Sequence, residues 1–545
     1  MKTFGIFLTA VALVVGLVGC APASTQYNLT ISGTEGGSVT MPGEGTFTYN
    51  EGEKVNLAAI PNEGYQFISW TGGVGEIADV GDSTTTITMK DDYSITATFA
   101  VNQYSLVIHS TEGGSVTTPG ENARTYDKGE VVNLVAVADE GYQFINWTGD
   151  VTTIADASAA STTITMDGGY SITASFAREI RDWYDLDNIR NNFDASYVLM
   201  NDLDSTTAGY TKLASPTANA GKGWQPISPF NGISGSFHGQ GYEIRDLFIN
   251  RPGEGLVGLF GWVAVAGVVE DIDMVNTTVT GGYAVGSLVG LNEGTVSNSY
   301  CSGGVTGDQW VGGLVGRNEW AGHVSSSHSA ASVTGNTHVG GLVGLNCGLS
   351  AVSNSFFAGR VTGNEYVGGL VGSNGDSGAV SNCYSIGTVS GDTHVGGLVG
   401  ASGGTVTGDS FWTTGSSGHS VVTSSYSAGR VTGDKFIGGL VGSNDDDGVV
   451  SNCYSIDTVT GNTHVGGLVG AGGGTVTGSF WDIGTSGQST SAGGTGKTAA
   501  EMKNVITFSD AGWNIVTVAN PSTRNPAYIW NIVDAQTYPF LSWQA

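Results

Sequence analysis

One hexapeptide, Val-Gly-Gly-Leu-Val-Gly, recurs through the second half of this chain and restricts it to a stack of like units. It stands at Val311–Gly316, Val339–Gly344, Val367–Gly372, Val395–Gly400 and Val465–Gly470, with variants at Val285–Gly290 and Ile437–Gly442 and a shorter relative at Gly255–Gly258. From Val285 onward, successive starts are 26, 28, 28, 28, 42 and 28 residues apart. A fixed period of this size marks one supersecondary unit stacked on copies of itself. No single unit of this length buries its own apolar face, so the array is the fold.

Three strand-like pieces recur per repeat: His338–Gly344, Ala351–Phe357 and Arg360–Gly363, with Gly and Asn between them. Three short strands and three turns fit one coil of a triangular parallel β-helix, whereas a propeller blade needs about 40 residues or more. Coils about 4.8 Å apart would make eight of them a rod of roughly 40 Å. Columns of like residues agree. Asn292, Asn318, Asn346, Asn374 and Asn444 share a turn position suited to a hydrogen-bond ladder. Tyr300, His328, Phe356, Tyr384, Tyr426 and Tyr454 form a ring column. The 42-residue step reflects a duplication: residues 353–411 recur at 423–480, so Ser410-Phe-Trp412 matches Ser479-Phe-Trp481. The inner copy of a former capping piece is expected to project as a loop near 411–422, interrupting the ladder.

Residues 27–100 and 101–178 form a tandem pair of small β modules. Gly64-Tyr-Gln-Phe-Ile-Ser-Trp70 returns as Gly141–Trp147, and Thr86–Met89 returns as Thr163–Met166. Alternation such as Ile95-x-Ala97-x-Phe99 reads as half-buried strands. Phe67, Trp70, Ile87 and Phe99, with Phe144, Trp147, Ile164 and Phe176, are the expected core; each Trp could instead stack a sugar. Gly-Gly-Ser-Val, Gly-Tyr-x-Phe-x-x-Trp-Thr-Gly and the closing Ile-Thr-Ala-x-Phe resemble the divergent internalin-type B repeat of bacterial surface proteins. That resemblance implies spacer or adhesive modules and brings no catalytic residues.

Residues 179–229 read as a helical linker and N-terminal cap, with Trp183, Leu186 and Ile189 at helical spacing. Residues 230–490 resemble the GLUG-motif family, named for its Gly-Leu-Val-Gly core, and 491–545 resemble the C-terminal cap that closes such arrays. GLUG repeats also accompany immunoglobulin A-cleaving metallopeptidases, which carry a His-Glu-x-x-His zinc site. None of the eight His here is followed by Glu, so peptidase activity does not carry over. The fold class expected is all-β: two small modules followed by a capped parallel β-helix.

Residues 1–19 read as a signal peptide: Met1-Lys2, then an apolar run from Phe4 to Val18. Leu17-Val-Gly-Cys20 resembles the bacterial lipobox, which implies lipidation of Cys20 and export to the cell envelope, with 20–26 as anchor linker. An ordinary signal peptide cut after Ala21-Pro-Ala23 is the alternative. Cys301, Cys347, Cys383 and Cys453 show no Cys-x-x-Cys, and Cys383 and Cys453 occupy a place filled elsewhere by Ser, which reads as packing.

With 19 basic against 48 acidic residues, the net charge of −29 opposes nucleic acid. No cofactor or metal motif stands out. Weak calcium binding is considered at Asp445-Asp446-Asp447, but no Asp-x-Asp-x-Asp-Gly loop with a closing Glu supports it. No nucleophile elbow or other catalytic motif is present. One column is a candidate ligand-binding row: Trp310, His338, Tyr366, His394, Phe436 and His464, each just before the Val (Ile437 after Phe436) that opens a repeat. Strand alternation puts these rings opposite the Val column, facing outward to stack sugars or simply one another. The functional expectation is a lipid-anchored surface protein that binds carbohydrate, matrix or a protein ligand. A polysaccharide-degrading enzyme and a purely structural envelope protein are the alternatives.

Overall fold

A computed structural model describes residues 24–228, 230–403 and 418–544. Cys20, the proposed leader and Ser410-Phe-Trp412 lie outside the described residues. The chain forms two compact units, one built from residues up to 137 with 144–175, the other from 138–143 and 176 onward.

In the first module, Gln26–Gly33 pairs antiparallel with Gly45–Asn50 and parallel with Tyr93–Val101, which in turn pairs with Tyr65–Gly72. A second sheet joins Gly37–Met41, Lys54–Pro61 and Thr84–Thr88. Alternation explains the packing: Leu29, Ile31, Leu57, Ile87, Ile95 and Ala97 are buried while their neighbours face water. Trp70 and Trp147 are buried core residues, their indole N–H groups donating to the carbonyls of Asp82 at 3.1 Å and Ala159 at 3.0 Å. That burial removes the sugar-stacking alternative for both.

The second unit opens as its sequence indicates. Asp182 caps a helix over Trp183–Asn188 by accepting the N–H groups of Tyr184 and Asp185, and Trp183, Leu186 and Ile189 are fully buried. Ser196–Leu199 then pairs with Ser236–His238, beginning the solenoid.

All coil-to-coil pairing in the solenoid is parallel, but each coil is more divided than a triangle. The hexapeptide splits into two strands, Thr337–Gly340 and Val343–Asn346 in one coil, each continuing its own sheet. The bend leaves no space at Gly340, where a Cβ would lie 1.9 Å from the Val343 carbonyl oxygen. The next piece also divides, into Ala351–Ser353 and Phe356–Phe357, because Asn354 turns the chain with φ +49. Five short strands per coil replace the expected three. The long step does not break the ladder: Ser420–Thr423 pairs with Ala379–Ser381 on one side and Gly448–Ser451 on the other.

Like residues stack inside. Val311, Val339, Val367, Val395 and Ile437 are fully buried, as are Val324, Val352, Val380, Val422 and Val450. The side-chain amides of Asn292, Asn318 and Asn346 each donate to the next Asn Oδ1 at 2.8 Å, ending at Asn374; Ser402 then interrupts the row. Cys383 and Cys453 are free and buried, and their thiols donate to backbone carbonyls as Ser355 and Ser425 do in other coils. Burial pushes both thiols up to about 12.

Asp457 departs from its column. Gly359, Gly387 and Gly429 hold its place in preceding coils, and its buried carboxyl group accepts from the Gly429 N–H at 2.6 Å and Ser455 Oγ at 3.1 Å. Burial raises it to about 7.

Two predictions follow from these columns. Replacing Asn346 by Ala leaves the buried Asn374 Oδ1 without its donor and takes one of three acceptors from the Asn318 amide, at a cost of about 2 kcal/mol. Asn444→Ser, which copies Ser402, should cost about 1 kcal/mol; denaturant midpoints for both variants provide the comparison. Asp457 keeps its proton up to about pH 7 when folded and releases it near pH 4 when unfolded. Its stabilising contribution is therefore full below about pH 4 and lost as pH rises through about 7. Asp457→Gly should remove that part of the pH slope in thermal melts, and a slope identical to wild type would contradict the assignment.

Candidate functional site

The ring row is a product of left-handed backbone rather than of strand alternation. φ lies between +52 and +60 at Trp310, His338, Tyr366, His394, Phe436 and His464. For bulky side chains this conformation is strained. Pairing skips each ring: Gln309 opposes Thr337 and Val311 opposes Val339, with the strained residue held between two bonded neighbours. The same bulge repeats in every coil, so the rings align.

Their faces are turned toward one another. Centroid separations are 4.7 Å for His338–Tyr366 and Tyr366–His394, 4.8 Å for His394–Phe436 and 5.0 Å for Phe436–His464. Solvent therefore meets mainly ring edges, with the outer face of His464 at the end of the row. Exposure also grades along it. Trp310 is 4% exposed and His338 8%, whereas Tyr366, His394 and Phe436 are half-buried and His464 is exposed.

A neighbouring column, not singled out from sequence, sets that gradient. Leu291, Arg317, Leu345, Ser373, Ala401, Ser443 and Ala471 stack in register on the adjoining sheet. The Arg317 guanidinium lies 4.4 Å from the Trp310 ring centroid, and Leu345 packs in the same cluster as Trp310. Where Ser and Ala follow, the rings emerge. The signal was readable as the residue after each Gly-Leu-Val-Gly, which changes from large to small along the chain.

Polar groups flank the emergent stretch. Glu365 Oε1 stands 3.7 Å from His394 Nδ1, and Lys435 Nζ lies 4.4 Å from the Phe436 ring centroid. Burial, then the Arg317 charge, holds His338 down to about 4; burial also lowers His394. These imidazoles are neutral at physiological pH and can accept as well as donate hydrogen bonds. At the large-residue end, burial and then the Glu319 charge raise the Glu293 carboxyl, while Arg317 pairs with Glu319. Asp445, Asp446 and Asp447 occupy a turn in which Ser443 Oγ donates to Asp445. Among the described residues no three His, Cys, Asp or Glu side chains converge as a metal site, and no helix is long and apolar enough to cross a membrane.

The comparisons with known proteins divide along the same architecture. Residues 27–103 and 104–180 match the model for the divergent InlB B-repeat domain, and residues 363–390 and 437–460 match the GLUG motif. The chain carries two divergent InlB B-repeat domains and GLUG motifs. It is 36% identical over 172 residues to halomucin of Haloquadratum walsbyi, covering 29% of this chain and 2% of halomucin. It is 35% identical over 170 residues to a protein named as a Gly-rich membrane protein in Evansella cellulosilytica, covering 24% of this chain and 19% of that one. The chain thus spans a small part of the curated relatives it matches. Two solved chains are similar: a proposed immunoglobulin A1 protease of Bacteroides ovatus, at 18% identity, TM-score 0.37, and coverage of 68% and 93%; and an IgA1 protease at 14%, 0.34, and 65% and 29%.

Arg317→Ala removes both a cover and a positive charge from the ring row. The His338 pKa should rise from about 4 toward the ordinary histidine range. Imidazole NMR titration of the variant and of the unaltered chain reads the difference.

Proposed function

We propose that this chain is an exported, envelope-associated binding protein, anchored through Cys20, that engages an uncharged carbohydrate polymer or matrix along its solenoid. The observation that carries this reading is the emergent row Tyr366–His394–Phe436–His464 beside Ser373, Ala401, Ser443 and Ala471. One ring, alternately aromatic and imidazole, and one small neighbour recur in each coil, a pattern matched to a polymer with repeating units. A net charge of −29 repels anionic polymers and favours neutral ones. The relatives' names, halomucin and Gly-rich membrane protein, fit an envelope setting.

A second reading, glycan cleavage, has one observation in its favour. The Glu293 carboxyl is raised by burial and by Glu319 in the next coil, the kind of environment that keeps a general acid protonated. One experiment tests both. The purified chain is applied to immobilised neutral and anionic polysaccharides, and retained protein and released reducing or unsaturated sugar ends are measured in the same wells. Retention on neutral polymer without release, weakened at least fivefold in Tyr366→Ala/Phe436→Ala, is expected. Release of sugar ends that disappears in Glu293→Gln would replace binding with catalysis.

A further inference from the structure

The second ring column runs out from beneath the C-terminal segment. Tyr300, His328, Phe356, Tyr384, Tyr426 and Tyr454 stack at 4.5 to 5.2 Å. Residues 502–541 fold back along this column instead of only closing the last coil. Trp513 and Trp530 pack on Tyr454, and the Tyr454 hydroxyl donates to the Pro539 carbonyl at 2.5 Å. The cover ends at Trp543, whose ring centroid lies 5.6 Å from that of Tyr384 and whose indole N–H donates to the Asn382 carbonyl at 3.1 Å. One coil further, Phe356 is only half-buried. There the chain leaves an open cleft of about 610 Å³ between the Asn354–Asn382 turns and the final residues.

We propose that this cleft binds a single uncharged sugar ring and supplies the specific contact of the polymer-binding reading above, on which it rests. Its lining carries the two kinds of surface a sugar presents. Trp543 and Tyr528, 36% and 37% exposed, and Phe356 offer apolar ring surface for a C–H face. Asn354, Asn382 and Asn514 offer amides for hydroxyl groups. The first two sit at left-handed turns, φ +49 and +54, and among the described residues their side-chain amides have no hydrogen-bond partner. Asn514 Oδ1 accepts the Ile529 N–H at 2.6 Å, which fixes the amide and leaves its NH₂ group as a donor. Every other lining residue is Ser, Ala, Pro or Ile, so no charged side chain faces the ligand. The uncharged lining offers no counter-charge to phosphate, carboxylate or ammonium groups, and the net charge of −29 further repels the anions. The volume is that of a small-molecule site.

Calorimetric titration of the full chain with tetra-N-acetylchitotetraose, maltotetraose, mannotetraose and laminaritetraose, and with trigalacturonate as the anionic control, tests the proposal. Saturable binding of at least one neutral tetrasaccharide and none of trigalacturonate is expected. Trp543→Ala should weaken it at least tenfold. Asn354→Gly/Asn382→Gly, which keeps the left-handed backbone and removes only the amides, should weaken it at least fivefold. Absence of binding to all four neutral probes at millimolar concentration overturns the proposal, as does binding that both variants leave unchanged. The polymer reading fails separately: it falls if the wild-type chain is not retained on neutral polysaccharide. It stands without the cleft if retention survives Trp543→Ala and is lost in Tyr366→Ala/Phe436→Ala.

Discussion

Parallel backbone pairing from coil to coil demands that equivalent residues lie one above another, and the rest of the solenoid depends on that demand. A side chain is then judged chiefly by how well it packs on its own kind. Valine on valine fills the interior, and asparagine on asparagine closes a hydrogen bond at 2.8 Å between fully buried side chains. The Asn row shows both sides of this bargain. Each amide satisfies its neighbour, so a single Ser402 ends the row and leaves Asn444 to donate to backbone carbonyls instead. Asp457 is the opposite case, an ionisable group in a glycine column, whose buried carboxyl holds its proton far above the ordinary range.

The same stacking makes strained corners affordable. A bulky residue at φ near +54 is unfavourable alone, yet here it lies between two residues that each pair with the coils above and below. Stacked rings recover part of the cost through contact with one another. The consequence for function is geometric. Rings at the corners of consecutive coils spend their faces on each other, so a long aromatic row shows mostly edges. A free face arises only where a row ends or where its cover stops, which is why the two ring columns differ in what they can offer a ligand.

Periodicity revealed the architecture because the fold is itself periodic. The hexapeptide, the Asn column, the Cys–Ser alternation and the helix over Trp183–Asn188 all report local or coil-spaced relations that survive in one dimension. The tandem Trp70 and Trp147 were legible for the same reason, as members of alternating strands. Two features escaped. The ring bulge at residues such as Tyr366 and the splitting of strands at corners such as Asn354 both depend on left-handed backbone, and these side chains give no conformational warning beyond the mild tolerance of Asn. The cleft joins Asn354 and Asn382 to Tyr528 and Trp543 across more than a hundred residues of chain, and no period relates a repeat to the irregular segment that folds back on it.

That return of the C-terminal segment ties the closing of the fold to its chemistry. A bare solenoid flank with six stacked rings would be an apolar stripe, the sort of surface that recruits other chains. Covering Tyr384, Tyr426 and Tyr454, with Phe480 of the next coil, by Met502, Phe508, Trp513, Trp530 and Leu541 removes half of it. The segment stops one coil short of Phe356, and the last indole is held by the Asn382 carbonyl together with packing on Tyr384. A hydrogen bond of that kind fixes the rim of the cleft while leaving one face of the aromatic group in water. Polar turns on one side and half-exposed rings on the other therefore follow from where the cover ends, not from a separate element added to the fold.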